Sequence, residues 1–66
     1  MATYIIFYQY WQTVKVNNSF VKQHISNSYE IETDKLTSQF INKETKYLEN
    51  EYGQSANITG ITKLDD

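Results

Sequence analysis

The sequence predicts an α+β fold, in which one helix covers a small sheet in a two-layer ββαβ domain over residues 1–66. Three patterns support this prediction. β-branched and aromatic side chains dominate residues 3–31, apart from a central Asn-Asn pair, as in a long N-terminal hairpin. Apolar residues recur with a helical period over about 34–52, and residues 57–64 are rich in Ile and Thr, as in a short C-terminal strand.

The hairpin is predicted to turn at Asn17-Asn18, because asparagine tolerates the positive φ angles of a two-residue turn. This turn places Tyr4 opposite Ile31 and makes one face of the hairpin strongly apolar. A shift of one residue would bring serines and Glu30 onto that face, so we expect the first register. The side chains predicted to form the floor under the helix are Tyr4, Ile6, Tyr8, Tyr10, Val21, Ile25, Tyr29 and Ile31.

The other face of the hairpin also carries large apolar side chains, and a chain of 66 residues has no second helix to cover them. We expect this face to form an exposed apolar patch with a polar rim. The alternative is that the side chains cover one another or lie under an edge loop. The apolar members are Ile5, Phe7, Trp11 and Phe20, and the rim comprises Lys15, Lys22, His24 and Glu30.

The helix is predicted to start after Thr33, which is a favourable N-cap, and to end at Gly53. Its uncharged inner stripe is expected to comprise Thr37, Ile41, Thr45, Leu48 and Tyr52. A second stripe at the shoulder comprises Leu36, Phe40 and Tyr47, and the carboxylates between the two stripes are Glu44 and Glu51.

In the last predicted strand, Gly60 interrupts a run of β-branched residues. A glycine inside a strand indicates either a bulge or the close approach of another part of the backbone. After this strand, Asp65 and Asp66 are expected to form a polar tail.

The composition restricts the chemistry. Cysteine is absent and His24 is the single histidine, so we expect no disulfide, no metal and no cofactor. All six cations are lysines and the net charge is −2, so the basic stripe of a nucleic-acid-binding protein is missing. Neither a membrane-spanning run nor a signal-peptide pattern is present, which predicts a cytoplasmic protein. Small domains without disulfides or metals often oligomerise, and we expect self-association.

No combination of residues predicts an enzyme. His24 is the candidate general base near neutral pH, with Ser26 and Ser28 on its side of the strand. Alternate residues of one strand form a row and do not converge on one substrate atom. Glu44 and Glu51 lie two helical turns apart, about 10 Å, on a helix surface, which is typical of solvated carboxylates. We therefore expect no catalytic residues.

The aromatic face leaves two classes of function open. Aromatic residues are enriched in the cores of protein interfaces, and they also stack on the bases of single-stranded nucleic acids. Just Lys15 and Lys22 lie beside the aromatic residues, and Glu30 opposes them, so the sequence favours a protein interface. A small virion or assembly component is a further alternative.

The chain resembles the small accessory proteins of phages and prophages in its element order and in its Asn-, Lys-, Ile- and Tyr-rich, proline-free composition. The stretches YLENEYG and ITGITKL belong to this resemblance, which covers the architecture of most of the chain. Such proteins include inhibitors of host defence, among them anti-CRISPR proteins. The resemblance implies stoichiometric binding to a larger host protein, such as a nuclease or CRISPR effector, in the host cytoplasm and without catalysis. It assigns no functional residue.

We therefore predict a small non-catalytic protein-binding module that occludes the surface of its partner. Aromatic side chains are expected to supply the binding energy, and acidic side chains to steer the chain toward a basic partner surface. The predicted partner-binding residues are Phe7, Trp11, Phe20, His24, Phe40, Tyr47, Glu44 and Glu51.

Overall fold

The computed structural model describes residues 2–64 and confirms the α+β fold. The elements in chain order are strand β1 (Ala2–Val16), strand β2 (Ser19–Thr33), helix α1 (Ser38–Tyr52) and strand β3 (Asn57–Lys63). Both strand pairings are antiparallel, and β1 lies in the middle of the sheet, in the order β2-β1-β3. The tail expected at Asp65 and Asp66 lies outside the described residues.

The hairpin turns where the sequence predicts. Asn17 and Asn18 have φ angles of 49° and 67°. A two-residue type I′ turn requires positive φ at both central positions, and asparagine adopts this region at low cost. The register follows from the turn, since Tyr4 pairs with Ile31 as predicted. The two strands, of 15 residues each, therefore pair from end to end.

The hairpin is much longer than the helix that covers it. Each strand of the hairpin and the helix itself contain 15 residues. A strand of this length extends about 50 Å, whereas such a helix extends about 22 Å. The longest dimension of the molecule is 49 Å, and β3 pairs with β1 over residues 4–9. The end of the hairpin, residues 12–23, therefore projects beyond β3 and the helix, and we call it the arm.

The core lies between α1 and the part of the sheet nearest the chain ends. Ile6 and Leu48 are each 1% exposed, and Tyr8 and Ala56 are also buried. Partly buried side chains surround this cluster, namely Tyr10, Tyr29 and Ile58. Leu48 belongs to the predicted inner stripe of the helix, so the helical period identified the correct face.

One residue of the predicted floor does not lie under the helix. Val21 is 48% exposed, although it lies on the same face as Tyr29 and Ile31. It pairs with Val14 in the arm, beyond the reach of the helix. The period-two pattern of a strand identifies a face of a sheet, but it carries no information on how far along that face a helix extends.

The helix starts at Ser38, later than predicted. Thr33 is not its N-cap, because β2 continues to Thr33, which pairs with Ala2. Thr37 is the N-cap instead, and its side chain accepts a hydrogen bond of 3.1 Å from the backbone N–H of Phe40. The residues between β2 and Thr37 connect the sheet layer to the helix layer. At the other end, Gly53 terminates the helix as predicted, with a φ angle of 100°.

β3 has a bulge at the predicted glycine. Thr59 is an extra residue between Ile58 and Gly60 in the pairing with β1. Because side chains alternate along a strand, Ile58 and Ile61 would lie on opposite faces of a regular strand. The bulge places both on the helix face, where they pair with buried residues of β1. On the other face, the ring of Phe7 lies over Gly60, within 3.9 Å of the position that a Cβ would take.

Replacing Leu48 with alanine should strongly destabilise the fold. Leu48→Ala leaves a cavity beside Tyr8 and Ala56, and we expect a loss of about 2–5 kcal/mol in the free energy of unfolding. Urea unfolding followed by circular dichroism measures this loss. Tyr47→Ala is the matched control, because Tyr47 is the exposed neighbour of Leu48 on the same helix and should cost under about 1 kcal/mol. Equal losses in the two variants would contradict the position of the core.

Candidate interaction surface

The sheet face opposite the helix carries exposed aromatic side chains. Phe7 is 41% exposed, Trp11 50% and Phe20 75%. We call these three residues, together with His24, the sheet patch. His24 pairs with Trp11 across the β1–β2 ladder, so its side chain lies on the same face. The helix packs on the other face through Leu48, which leaves the sheet patch uncovered by any helix in residues 2–64.

Trp11 and His24 are in direct contact within the sheet patch. Their ring centroids are 4.9 Å apart with an interplanar angle of 52°. The Nε2 atom of His24 lies 2.8 Å from the side-chain oxygen of Gln9. Since an amide oxygen accepts hydrogen bonds and cannot donate them, Nε2 carries the proton in this contact. The imidazole is thus held between an aromatic ring and an amide, and it supports one side of the Trp11 ring.

The backbone of Trp11 is held by Ser55, which lies in the loop after α1. The N–H of Trp11 donates to Ser55 Oγ at 3.0 Å, and Ser55 Oγ donates to the Trp11 carbonyl oxygen at 3.3 Å. The pairing between β3 and β1 ends at Gln9, so Ser55 extends the ladder by one further contact. The Trp11 ring is therefore presented from a well-anchored backbone.

Phe20 lies farther along the same face, in the arm. It is four residues from His24 on β2, a distance of about 13 Å along a strand. Its partner on β1 is Lys15, and Lys22 follows two positions later on the same face. The sheet patch therefore has two parts: Phe7, Trp11 and His24 over the body of the sheet, and Phe20 among lysines at the end of the arm.

The predicted partner-binding residues of the helix lie in the other layer. Phe40, Glu44, Tyr47 and Glu51 all belong to α1. Phe40 is half-buried, whereas Tyr47 and Glu51 are exposed. A single flat surface cannot contact these residues and the sheet patch at once, because the sheet lies between them. The structure therefore brings together the predicted residues of the sheet and separates them from those of the helix.

Glu44 has a contact that the sequence did not reveal. The hydroxyl of Tyr29 donates a hydrogen bond of 3.2 Å to Glu44, which is half-buried. Burial of the phenol, the charge of Glu44 and this hydrogen bond together raise the pKa of Tyr29 above its ordinary value. Glu44 therefore fastens α1 to β2. No local pattern pairs it with Tyr29, because the two residues are 15 positions apart.

A cluster of tyrosines fastens the end of the helix to β1. The rings of Tyr10 and Tyr52 stack with centroids 4.3 Å apart, and the hydroxyl of Tyr8 donates to that of Tyr52 at 3.4 Å. The pKa of Tyr8 is raised to about 12, first by its hydrogen bond to Tyr52 and to a smaller extent by burial. The cluster lies on the opposite side of β1 from the Trp11 ring.

Metal sites, membrane-spanning helices and the row of His24, Ser26 and Ser28 can also be examined in the described residues. In residues 2–64, no three His, Asp or Glu side chains lie close enough together to hold a metal ion. Within the same range, no helix is both long and apolar enough to cross a membrane. Ser26 and Ser28 follow His24 at alternate positions of β2, so the three side chains form the row that the sequence predicts.

Comparison of the chain with protein-family models, with curated proteins and with solved structures found no match. Its function therefore has to be inferred from its own surface.

High pH should destabilise the fold through Tyr8 and Tyr29. Both phenols have raised pKa values, so the folded protein holds these protons more tightly than the unfolded chain does. Their contribution to stability is complete below the unfolded-state pKa of about 10 and is lost as the pH rises through the folded-state pKa. For Tyr8 that pKa is about 12. We expect the free energy of unfolding, measured in urea at a series of pH values, to fall above about pH 10.

A pair of variants tests the effect of Glu44 on the pKa of Tyr29. Glu44→Gln removes the charge beside Tyr29 and should move the pKa of Tyr29 back toward its ordinary value, so that stability falls less steeply with pH. Ultraviolet absorbance of tyrosinate reports the titration directly. Glu51→Gln, at an exposed position of the same helix, should leave both profiles unchanged. Identical profiles for the two variants would exclude the proposed effect of Glu44.

Proposed function

We propose that this chain is a small non-catalytic protein-binding module that binds stoichiometrically to the surface of a larger protein. Inhibitors of host defence encoded by phages, including those of the anti-CRISPR type, act in this manner, and the chain resembles phage accessory proteins in element order and composition. The proposal is supported above all by the exposure of Phe7, Trp11 and Phe20 on a sheet face that no helix of the described residues covers. The host cytoplasm is the compartment in which such a protein would act.

The residues of the sheet patch have the properties of an interface centre. Aromatic side chains, and Trp above all, account for much of the binding energy at protein interfaces. Trp11 is half-exposed, yet His24 supports its ring and Ser55 holds its backbone. Docking of a preordered side chain loses less conformational entropy than docking of a mobile one. Trp11 is therefore the residue on which we expect binding to depend most.

The total exposed surface also supports a partner. The chain of 7.8 kDa exposes 5040 Å² to solvent. A compact monomer of this mass exposes about 4,400 Å². The difference of roughly 600 Å² is close to the ~800 Å² that each protein buries in an interface of standard size.

Of the two helix carboxylates proposed to steer partner binding, one already has a contact within the chain. Glu44 bonds to Tyr29, whereas Glu51 is exposed. Steering toward a basic partner surface is therefore proposed for Glu51, with an effect on the association rate. Phe40 and Tyr47 would contact a partner through a second surface, separate from the sheet patch.

Loss of the Trp11 ring should abolish partner binding without unfolding the chain. A tagged chain is used to capture its partner from a lysate of a low-GC Gram-positive host, with and without nuclease treatment. Removing an interface anchor costs about 2 kcal/mol or more, or about 30-fold in affinity, so we expect Trp11→Ala to capture nothing. Circular dichroism checks that the variant remains folded.

Val16→Ala is the matched control for this experiment. Val16 is 49% exposed, which is close to the exposure of Trp11, but it lies on the other face of the arm. Capture by this variant should equal that of the unaltered chain. A folded Trp11→Ala variant that captures the same partner equally well would contradict the proposal.

A second function, the binding of single-stranded nucleic acid, is favoured by the arm. Phe20 lies between Lys15 and Lys22 on the exposed face. Glu30, which the sequence analysis sets against these lysines, is eight residues from Lys22 along β2, or about 26 Å. The end of the arm therefore combines an aromatic ring with positive charge, as in surfaces that stack on bases and contact phosphates.

A salt titration distinguishes the two functions. Binding of a labelled single-stranded oligonucleotide, followed by fluorescence anisotropy, should weaken as salt is added, with a logarithmic slope of about −0.7 per phosphate contacted. Lys22→Gln should reduce that slope by removing one contact. Capture of a protein through the sheet patch should change little over the same range of salt. The absence of oligonucleotide binding at low salt would exclude the second function.

A further inference from the structure

The outer edge of β2 is open along a strand of 15 residues. In the described sheet, β2 lies at one side and pairs with β1 alone. Strands are typically about 5–6 residues long, and exposed long edges are uncommon because their free N–H and C=O groups accept another strand. The open edge of β3 is less than half as long, with 7 residues. β2 is therefore the edge at which a further strand would gain most hydrogen bonds.

The hydrogen bonds of Trp11 show which groups of β2 point outward. The N–H and C=O of Trp11 bond to Ser55, on the far side of β1 from β2. Trp11 and His24 are therefore a non-hydrogen-bonded pair, and the backbone groups of His24 point away from β1. The backbone groups of every second residue of β2 likewise point away from β1. We call these residues, which run from Phe20 through Ser26 to Glu32, the outward row.

The charge of the outward row changes sign along β2. Lys22 stands toward one end, and Glu30 and Glu32 stand at the other, all of them exposed. Across the ladder with β1, Lys22 faces Thr13 and Glu30 faces Ile5. The neighbouring strand therefore offers neither side chain an opposite charge. A strand running antiparallel to β2, with the same sequence, would offer both.

We propose that β2 pairs antiparallel with β2 of a second copy of this chain, about a twofold axis at Ser26. Ser26 is the central residue of Ser19–Thr33, so this register pairs all 15 positions. It sets Lys22 opposite Glu30 of the second copy, and by symmetry this contact occurs at two places. On the helix face, it sets the exposed Val21 opposite Ile31 of the second copy. The product is a continuous sheet with two sets of three strands.

The charges also discriminate against other ways of pairing. A parallel, in-register arrangement would set Lys22 against Lys22 and Glu30 against Glu30, and like charges directly opposite each other are destabilising. An antiparallel arrangement shifted along the strand leaves positions unpaired at both ends. The full overlap about Ser26 thus pairs Lys22 with Glu30 and uses the whole hydrogen-bonding edge, while it sets Glu32 opposite Phe20.

In the single chain, the side chain of Asn27 forms a hydrogen bond with one of the outward-pointing backbone groups of β2. Its side-chain oxygen accepts a hydrogen bond of 2.8 Å from the N–H of Ser28. In the proposed register, Ser28 faces His24 of the second copy, and its N–H bonds to the carbonyl oxygen there. The side chain of Asn27 then turns away. Dimer formation exchanges one hydrogen bond for another at this position and gains new ones elsewhere along the edge.

The dimer does not depend on the proposed function, but it would alter how a partner is bound. A twofold axis that passes between antiparallel strands runs perpendicular to the sheet, so both helices lie on one face and both sheet patches on the other. Two linked binding surfaces can raise the apparent affinity for a partner that presents two sites. A defect in dimer formation is measured on the purified chain alone, and so it is distinguishable from a defect in partner capture.

Disulfide trapping tests the register, because the chain contains no cysteine. Ser26→Cys places a thiol on the twofold axis, where the two Cα atoms are about 5.5 Å apart, within disulfide range. We expect rapid formation of a covalent dimer under mild oxidation. Ser28→Cys is the matched control in the same exposed row, and its two copies lie about 13 Å apart in this register. Equal trapping of both variants, or trapping of neither, would overturn the register.

Charge exchange tests the pairing itself. Sedimentation equilibrium should show that Lys22→Glu raises the dissociation constant of the dimer about tenfold or more, because two attractive contacts become repulsive. Adding Glu30→Lys should restore association, and Lys63→Glu, on the strand farthest from β2, should change nothing. A monomer at every concentration would refute the proposal. So would a dimer that tolerates Lys22→Glu and dissociates in Trp11→Ala, which would place self-association on the sheet patch.

Discussion

The length of the helix relative to the hairpin determines which side chains this protein exposes. The helix and each strand of the hairpin contain 15 residues, but a residue of extended chain advances about twice as far as a residue of helix. The helix therefore covers the body of one sheet face and leaves the arm bare on both faces. Val21 is exposed for this reason on the helix side. Phe20 is exposed at the same end, on the face that no helix in residues 2–64 covers.

The small core that remains is reinforced by polar contacts of tyrosine. Ile6 and Leu48 are the largest fully buried side chains, which is little apolar volume for a folded chain. Stacked phenols and the bond from Tyr29 to Glu44 hold the helix against the sheet around them. A chain with so few buried side chains gains stability from any contact made in the folded state alone. The sheet patch and the β2 edge share Phe20 and His24, but the patch presents side chains on one face and the edge presents backbone groups, so a protein partner and a second copy can be accommodated together.

Much of the fold was predictable because it depends on neighbours in the sequence. The Asn17-Asn18 turn determines the pairing of β2 with β1, and the period of two then assigns each side chain to a face. Gly53 ends the helix and Gly60 adjoins the bulge, as local backbone preferences indicate. The predicted start of the helix was wrong because a residue distant in the sequence holds Thr33 in the strand. Thr33 has the side chain of a good cap, but its pairing with Ala2 at the far end of the hairpin keeps it in the strand.

The features of the candidate site likewise fall into two groups, those that follow from neighbouring residues and those that depend on contacts between distant segments. Alternation along a paired strand requires Phe7, Trp11 and His24 to share one face of the hairpin, so this grouping could be predicted from the order of residues alone. Three features depend on how the elements pack together: this face stays uncovered by α1, Ser55 holds the backbone of Trp11, and Glu44 bonds to Tyr29. These contacts join segments far apart in the chain. They depend on the lengths and positions of whole elements, which no repeating pattern of side chains encodes.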